Sequence, residues 1–181
     1  MKISPEQKIE LALLVTRIKK GDDRAFERFI ELTQDSVFRF CFFLSKNREQ
    51  ADEFCQETFL KAIESLKTIQ SDDAVLDWLL KISKNLFLDS YRGSKRRSEI
   101  LAESESPETV AIQPLESVLA VREVLSQFDP DDRALLILID LENYTYAEAA
   151  VIIGVSEDAV RSRIHRLRQE FSKNIGILET N

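Results

Sequence analysis

The chain has 181 residues, 44% hydrophobic and 31% charged, with only 4 Gly and 4 Pro and a net charge of −7. That composition favours a helical, water-soluble protein, and the acidic total argues at first sight against a DNA binder. The polar start Met1-Lys-Ile-Ser-Pro-Glu6, the lack of any apolar run near the roughly 20 residues of a membrane span, and two isolated cysteines, Cys41 and Cys55, point to a reducing, cytoplasmic setting with buried free thiols.

The periodicity predicts a first helix from Ile9 to Lys20, stopped by Gly21. Asp22 or Asp23 caps a second helix whose apolar stripe holds Phe26, Phe29, Ile30, Val37, Phe38, Cys41, Phe42 and Leu44. With Phe40 and Phe43 added, this is a helix buried over a wide face. Asn47-Arg48-Glu49 turns the chain into an amphipathic helix over residues 50–62. Its polar face carries Asp52, Glu53, Gln56 and Glu57, opposite Phe54, Cys55, Thr58, Phe59 and Ala62. Most such acidic faces are merely solvated. The functional alternative is a docking surface for a basic partner helix.

Asp72 or Asp73 caps a further helix from Ala74 to about Tyr91, packed by Val75, Trp78, Leu79, Ile82, Leu86 and Leu88 and broken at Gly93-Ser94. Around that stripe lie Lys81, Lys84, Asn85, Tyr91 and Arg92, then Lys95-Arg96-Arg97. Bases interleaved with aromatic rings suit opened nucleic acid, where bases stack and phosphates need cations. Trp78 alone reads more readily as core than as a stacking platform.

From Ser98 to Pro114 the helical stripe fails, and Ser, Glu, Pro and Thr dominate. This is the composition of a flexible acidic linker. Leu115, Val118, Leu119, Val121, Val124, Leu125 and Phe128 then restart a helix. Asp129-Pro130 supplies a cap followed by proline at the first helical position, and Leu135 to Leu141 reads as buried helix.

The last stretch predicts a helix-turn-helix. Thr145 caps a short helix, with Glu148 completing a capping box, and Ala147, Ala150 and Val151 form its apolar face. Gly154 sits where the turn needs positive φ. Ser156 caps the second helix, and Glu157 and Asp158 suit its positive end. Val160, Ile164, Leu167 and Phe171 face the core, which leaves Arg161, Arg163, Arg166, Arg168 and Lys173 outside. A basic helix by itself is usually a solvated one. The ordered set of cap, small-residue helix, glycine turn, second cap and basic helix favours insertion into a DNA major groove.

The acidic total hides two basic patches. Residues 1–97 carry 18 Lys/Arg and 16 Asp/Glu, whereas residues 98–181 carry 7 and 16. Yet residues 81–97 hold six bases against one acid, and residues 161–173 five against one. Electrostatic affinity for a polyanion follows such patches more than the net charge. The predicted fold is therefore all-α: two small helical domains (1–97 and 115–181) joined by the acidic linker 98–114.

At this point a resemblance becomes visible. Asp52-Glu-Phe-Cys-Gln-Glu-Thr-Phe-Leu-Lys-Ala62, Trp78-Leu-Leu-Lys-Ile-Ser-Lys-Asn-Leu-Phe-Leu-Asp-Ser-Tyr-Arg92, Tyr144-Thr-Tyr-Ala-Glu-Ala-Ala150 and Val160-Arg-Ser-Arg-Ile-His-Arg-Leu-Arg168, in that order, resemble the extracytoplasmic-function sigma factors, in the sigma-70 family of bacterial RNA polymerase. The resemblance spans residues 9–97 and 115–173. It implies a promoter-specificity subunit with no catalysis or cofactor of its own. Asp52, Glu53, Gln56 and Glu57 would dock on the clamp helices of the largest polymerase subunit. Trp78, Lys81, Lys84, Asn85, Asp89, Arg92, Lys95, Arg96 and Arg97 would read and help open the minus-ten element. Ser156, Glu157, Asp158, Arg161, Ser162, Arg163, His165 and Arg166 would meet the minus-thirty-five element, while the second domain rests on the flap of the second-largest subunit. An anti-sigma partner is a further implication.

The chain departs from that pattern at the acidic Phe128-Asp-Pro-Asp-Asp132, at Glu157 and Asp158 where phosphate would approach, and at Arg92-Gly93. Two other classes compete. A conventional helix-turn-helix regulator would bind DNA without polymerase, but leaves the acidic and basic-aromatic helices of the first domain without a role. An enzyme is disfavoured because the one histidine, His165, sits among arginines, with no phosphate loop, metal-spaced cluster or nucleophile elbow.

Overall fold

The computed structural model describes residues 3–45, 47–66, 74–101 and 116–178, and for 97–101, 116–117 and 176–178 it describes the backbone alone. Eight α-helices account for most of these residues, and no strand occurs among them. They are α1 (Pro5–Lys19), α2 (Asp23–Leu44), α3 (Arg48–Ser65), α4 (Val75–Leu101), α5 (Glu116–Ser126), α6 (Pro130–Leu136), α7 (Tyr146–Ile153) and α8 (Glu157–Leu178). A π-helical turn, Ile137–Leu141, continues α6. No described helix is long and apolar enough to cross a membrane.

Local chemistry sets the helix ends. Ser4 caps α1 in a capping box with Gln7, so α1 begins earlier than its apolar stripe. Gly21 takes φ +86° between α1 and α2, and Asp22 accepts from the Ala25 amide to cap α2. Arg17 holds the Asp22 carboxyl below its ordinary range through a 2.7 Å ion pair across the same turn. Asn47 caps α3 through the Gln50 amide. The proposed Asp72 or Asp73 cap lies outside the described residues.

The first four helices pack around α2, whose Phe29, Val37, Phe40, Cys41 and Leu44 are buried. Burying a phenylalanine ring as fully as Phe29 and Phe40 stabilises by about 2–3 kcal/mol each. Both cysteines are free: Cys41 is buried and Cys55 half-buried. Burial pushes both thiols up, Cys41 to about 12 and Cys55 to about 11.

Three sequence expectations need correction. Gly93 and Ser94 do not end α4; the helix runs unbroken to Leu101. One glycine inside a long helix costs only about 1 kcal/mol, and Ser94 returns its hydroxyl to the Ser90 carbonyl at 2.8 Å rather than breaking the ladder. Residues 98–101 are accordingly helical, and the rest of the expected linker, 102–114, lies outside the described residues. The apolar face of α7 is also different. Ala149, Ala150, Ile152 and Ile153 are buried, whereas Ala147 and Val151 are exposed. In an eight-residue helix this apolar, spacing alone fits more than one face. Finally, the buried stretch 135–141 is part α-helix and part π-turn, and Asp140 and Leu141 at its end reach solvent.

The halves do not stand apart. Their buried side chains form one contiguous cluster, with α4 against α6 and α7, and α2 against α5 and α6.

Candidate functional site

Three surfaces carry the residues singled out above. On α3, Glu53, Gln56 and Glu57 are exposed and Asp52 is half-exposed, at positions i, i+1, i+4 and i+5 of one face. Phe54, Thr58, Phe59 and Ala62 anchor the opposite side in the core. Two acids have loose partners one turn away on the same helix: Arg48 at 3.8 Å from Asp52, and Lys61 at 3.7 Å from Glu57. Exposed pairs of this kind contribute only about 0.3–0.5 kcal/mol, so the acids stay available to an outside cation.

On α4, Lys81, Asn85, Asp89, Arg92 and Arg96 recur every three or four residues and are all exposed, with Lys95 beside them. Five of these six define a polar stripe along four turns. Arg97 lies on the same helix, but its side chain is outside the described set. Trp78 is half-buried and packs against the core, as its reading as a core ring anticipates.

Lys84 behaves differently from its neighbours. It is buried, and its ammonium donates to the carbonyl of Ile153 at the end of α7 at 2.8 Å. Asp131 lies 3.6 Å away. Burial pulls the Lys84 ammonium below the ordinary lysine value, and Asp131 opposes that shift. One residue of the candidate minus-ten set is thus held inside the contact between the two halves.

That contact has other members the sequence did not flag. Arg133, from α6, donates to the Leu44 carbonyl at the end of α2 at 2.5 Å and to the Ser126 carbonyl at 2.8 Å. Its guanidinium sits 5.3 Å from the Phe87 ring centre, and burial lowers its pKa to about 10. Arg122, from α5, donates to the Ser45 carbonyl at 3.0 Å and lies over Phe42 at 4.1 Å. Arg39 of α2 pairs with Glu142 at 3.2 Å. Two arginines of the second half therefore satisfy carbonyls at the C-terminal end of α2, where the helix dipole favours cations. A lone arginine at an apolar-facing position is the only trace of this in the sequence.

The helix-turn-helix is built as its residues predict. Thr145 and Glu148 form a reciprocal capping box. Gly154 takes φ +85°, and Ser156 accepts from the Ala159 amide at 3.2 Å to start α8. Val160, Ile164 and Leu167 are buried, and Phe171 stacks on Phe128 at 6.4 Å. Outward stand Glu157, Asp158, Arg161, Ser162, His165 and Arg166, whereas Arg163 is half-buried. Arg161 pairs with Glu157 at 2.9 Å and lies 5.7 Å from the Tyr146 ring centre.

Comparison with known proteins agrees with this arrangement. The family model for Sigma-70 region 2 matches residues 29–97, and that for Sigma-70 region 4 matches residues 119–171. Among curated relatives, the ECF RNA polymerase sigma factor SigC of Mycobacterium tuberculosis is 31% identical over 153 residues, 82% of each chain. EcfG of Rhodopseudomonas palustris is 32% identical over 142 residues, 76% of this chain and 77% of that one. Among solved structures, the sigma factor RpoE in complex with the anti-sigma factor NepR from Bartonella quintana aligns with a TM-score of 0.74 at 24% identity, covering 84% of this chain and 97% of that one. CnrH in complex with the cytosolic domain of CnrY aligns at 0.72 and 23% identity, covering 95% and 99%. With both sigma-70 regions in order and relatives of matching length, the chain belongs to the extracytoplasmic-function sigma factors, the RNA polymerase subunits that direct transcription to specific promoters.

Proposed function

We propose a division of labour among the three surfaces. Residues 1–97 act as a polymerase-docking and minus-ten domain, 98–114 connect, and 115–181 act as a minus-thirty-five domain. The exposed acids of α3, Asp52, Glu53 and Glu57 with Gln56, take the basic clamp helices of core polymerase. The stripe Lys81, Asn85, Asp89, Arg92 and Arg96, with Lys95 and Arg97, takes the opened minus-ten strand, and Trp78 borders it. The outward arc of α8 enters the major groove at minus thirty-five, with Ser156 capping that helix. The protein works in the cytoplasm and performs no catalysis of its own.

The observation that carries this reading is the α4 stripe. Cations at both ends of one exposed helix face can hold a nucleic-acid backbone, and the amide and carboxylate between them suit base edges. Lys84 joins that surface only when α4 parts from α7. An anti-sigma protein is the proposed regulator, because a structural neighbour of similar fold, RpoE, is a sigma factor solved with the anti-sigma factor NepR.

The test is transcription in vitro with bacterial core polymerase on a library of promoter fragments. New start sites that require both this protein and the core enzyme are expected. Reversing charge at Asp52 and Glu57 is expected to remove polymerase binding while leaving the fold intact. Polymerase binding unchanged in that variant overturns the docking role of α3.

A further inference from the structure

Every arginine of α8 already has an acidic partner within its own half of the molecule. Arg161 pairs with Glu157 on the same helix, and Arg168 makes a forked pair with Asp140 at 2.6 and 3.0 Å. Asp132 stands apart from the other acids. It belongs to α6, its side chain is only 12% exposed, and two guanidinium groups converge on it: Arg163 at 2.7 Å and Arg166 at 3.7 Å. Arg163 is correspondingly half-buried, with a side chain 32% exposed against 68% for Arg166.

The helical spacing explains the geometry. Positions 158, 161, 162 and 165 point outward together; 163 turns toward α6, and 166 stands at the edge between, exposed yet 3.7 Å from Asp132. A phosphate beside α8 could recruit Arg163 only by taking it from Asp132. The carboxylate left behind would be almost buried and stripped of its closest cation, which is costly. Random duplex offers phosphates and little else, so it cannot offset that cost.

We propose that Asp132 is a positioning residue for promoter specificity: it holds Arg163 against α6, limiting sequence-independent phosphate contact and leaving the outward edge of Asp158, Arg161, Ser162 and His165 to read bases. This role rests on the reading of α8 as the groove-entering helix. It gives the acidic Pro130-Asp-Asp132 start of α6 a function beside a DNA-facing element.

The test uses the full chain assembled with core polymerase. Binding to promoter and to random duplex is measured across a salt series for wild type, D132N, R163A, the double variant and D132E. D132N is expected to bind random duplex about five- to ten-fold more tightly, with a salt slope steeper by about one, and to accept more minus-thirty-five sequences. R163A alone is expected to lower stability, because it strips the nearly buried Asp132 of its closest cation, without steepening the salt slope. The gain of D132N is expected to vanish in the double variant, because released Arg163 supplies it. D132E, which keeps a carboxylate, is expected to retain the wild-type slope. A gain that persists without Arg163 reduces Asp132 to simple charge repulsion and overturns the proposal. So does loss of promoter selection in R163A, which would make Arg163 a direct reader. R161A serves as the control for α8. If it alters minus-thirty-five preference while D132N changes nothing, only the role of Asp132 falls. If it leaves that preference untouched, the groove-entering reading of α8 falls, and this role with it.

Discussion

Lys84 and Ile153 join the candidate minus-ten helix to the helix-turn-helix through one 2.8 Å hydrogen bond, from a buried ammonium to the last carbonyl of α7. The bond satisfies a helix-end carbonyl that has no intrahelical donor. The charge that makes it is nonetheless expensive to bury. Desolvation dominates at Lys84, and the half-exposed Asp131 offsets only part of it.

The sign of the resulting pH dependence follows. The folded-state pKa of Lys84 is lowered, so the unfolded chain binds that proton more tightly. Stability contributed by this site therefore rises with pH, from the depressed folded value up to the free lysine value of about 10.4. Lys84→Met keeps the chain length and removes the titration. Urea unfolding of both proteins from neutral to alkaline pH should show wild type gaining on K84M as pH rises. A constant difference between them would sink this account of Lys84.

Arg133 ties the halves through the Leu44 carbonyl while the same guanidinium serves the Ser126 and Phe128 carbonyls of its own half. Lysine cannot reproduce that fork, nor the planar contact with Phe87. Arg133→Lys is therefore expected to lose about 2–4 kcal/mol, close to the loss from Arg133→Ala, since both leave buried acceptors unmet. The urea midpoint of the full chain measures it. A lysine variant within a few tenths of a kcal/mol of wild type, on the scale of a neutral surface change, would show that the ammonium suffices.

How much of this was written in the sequence depends on the range over which each signal acts. Local signals were legible. The Thr145–Glu148 box, the Gly154 turn, the Ser156 cap and the Asp22 cap each involve atoms within a few residues, and each formed as its chemistry dictates. The core stripe of α8 also followed its spacing. Long-range choices were not legible. Nothing near Lys84 says that this lysine, rather than Lys81, turns inward to a carbonyl 69 residues away. Arg133 reaches 89 residues back to Leu44, and Asp132 meets an arginine on another helix. Such pairings depend on which faces the packed helices present, and helical periodicity fixes a face only relative to its own axis. The continuous α4 makes the same point at shorter range, because a single glycine is too weak a breaker to overrule a long helix.

Gly154 gives the cleanest test of the helix-turn-helix geometry. Its φ is +85°, a region where an L side chain is strained, and a Cβ there would meet nothing within 4 Å. Crowding is therefore absent, and Gly154→Ala isolates the backbone cost, about 1–2 kcal/mol. The turn orients α8 against α7, so the same strain should also weaken promoter binding. Gly93→Ala is the matched control. It sits within α4 with equally open space, and alanine should raise helix stability by up to about 1 kcal/mol. Thermal unfolding of the two variants should therefore move in opposite directions. Equal shifts would mean that the left-handed turn does not set the cost at Gly154.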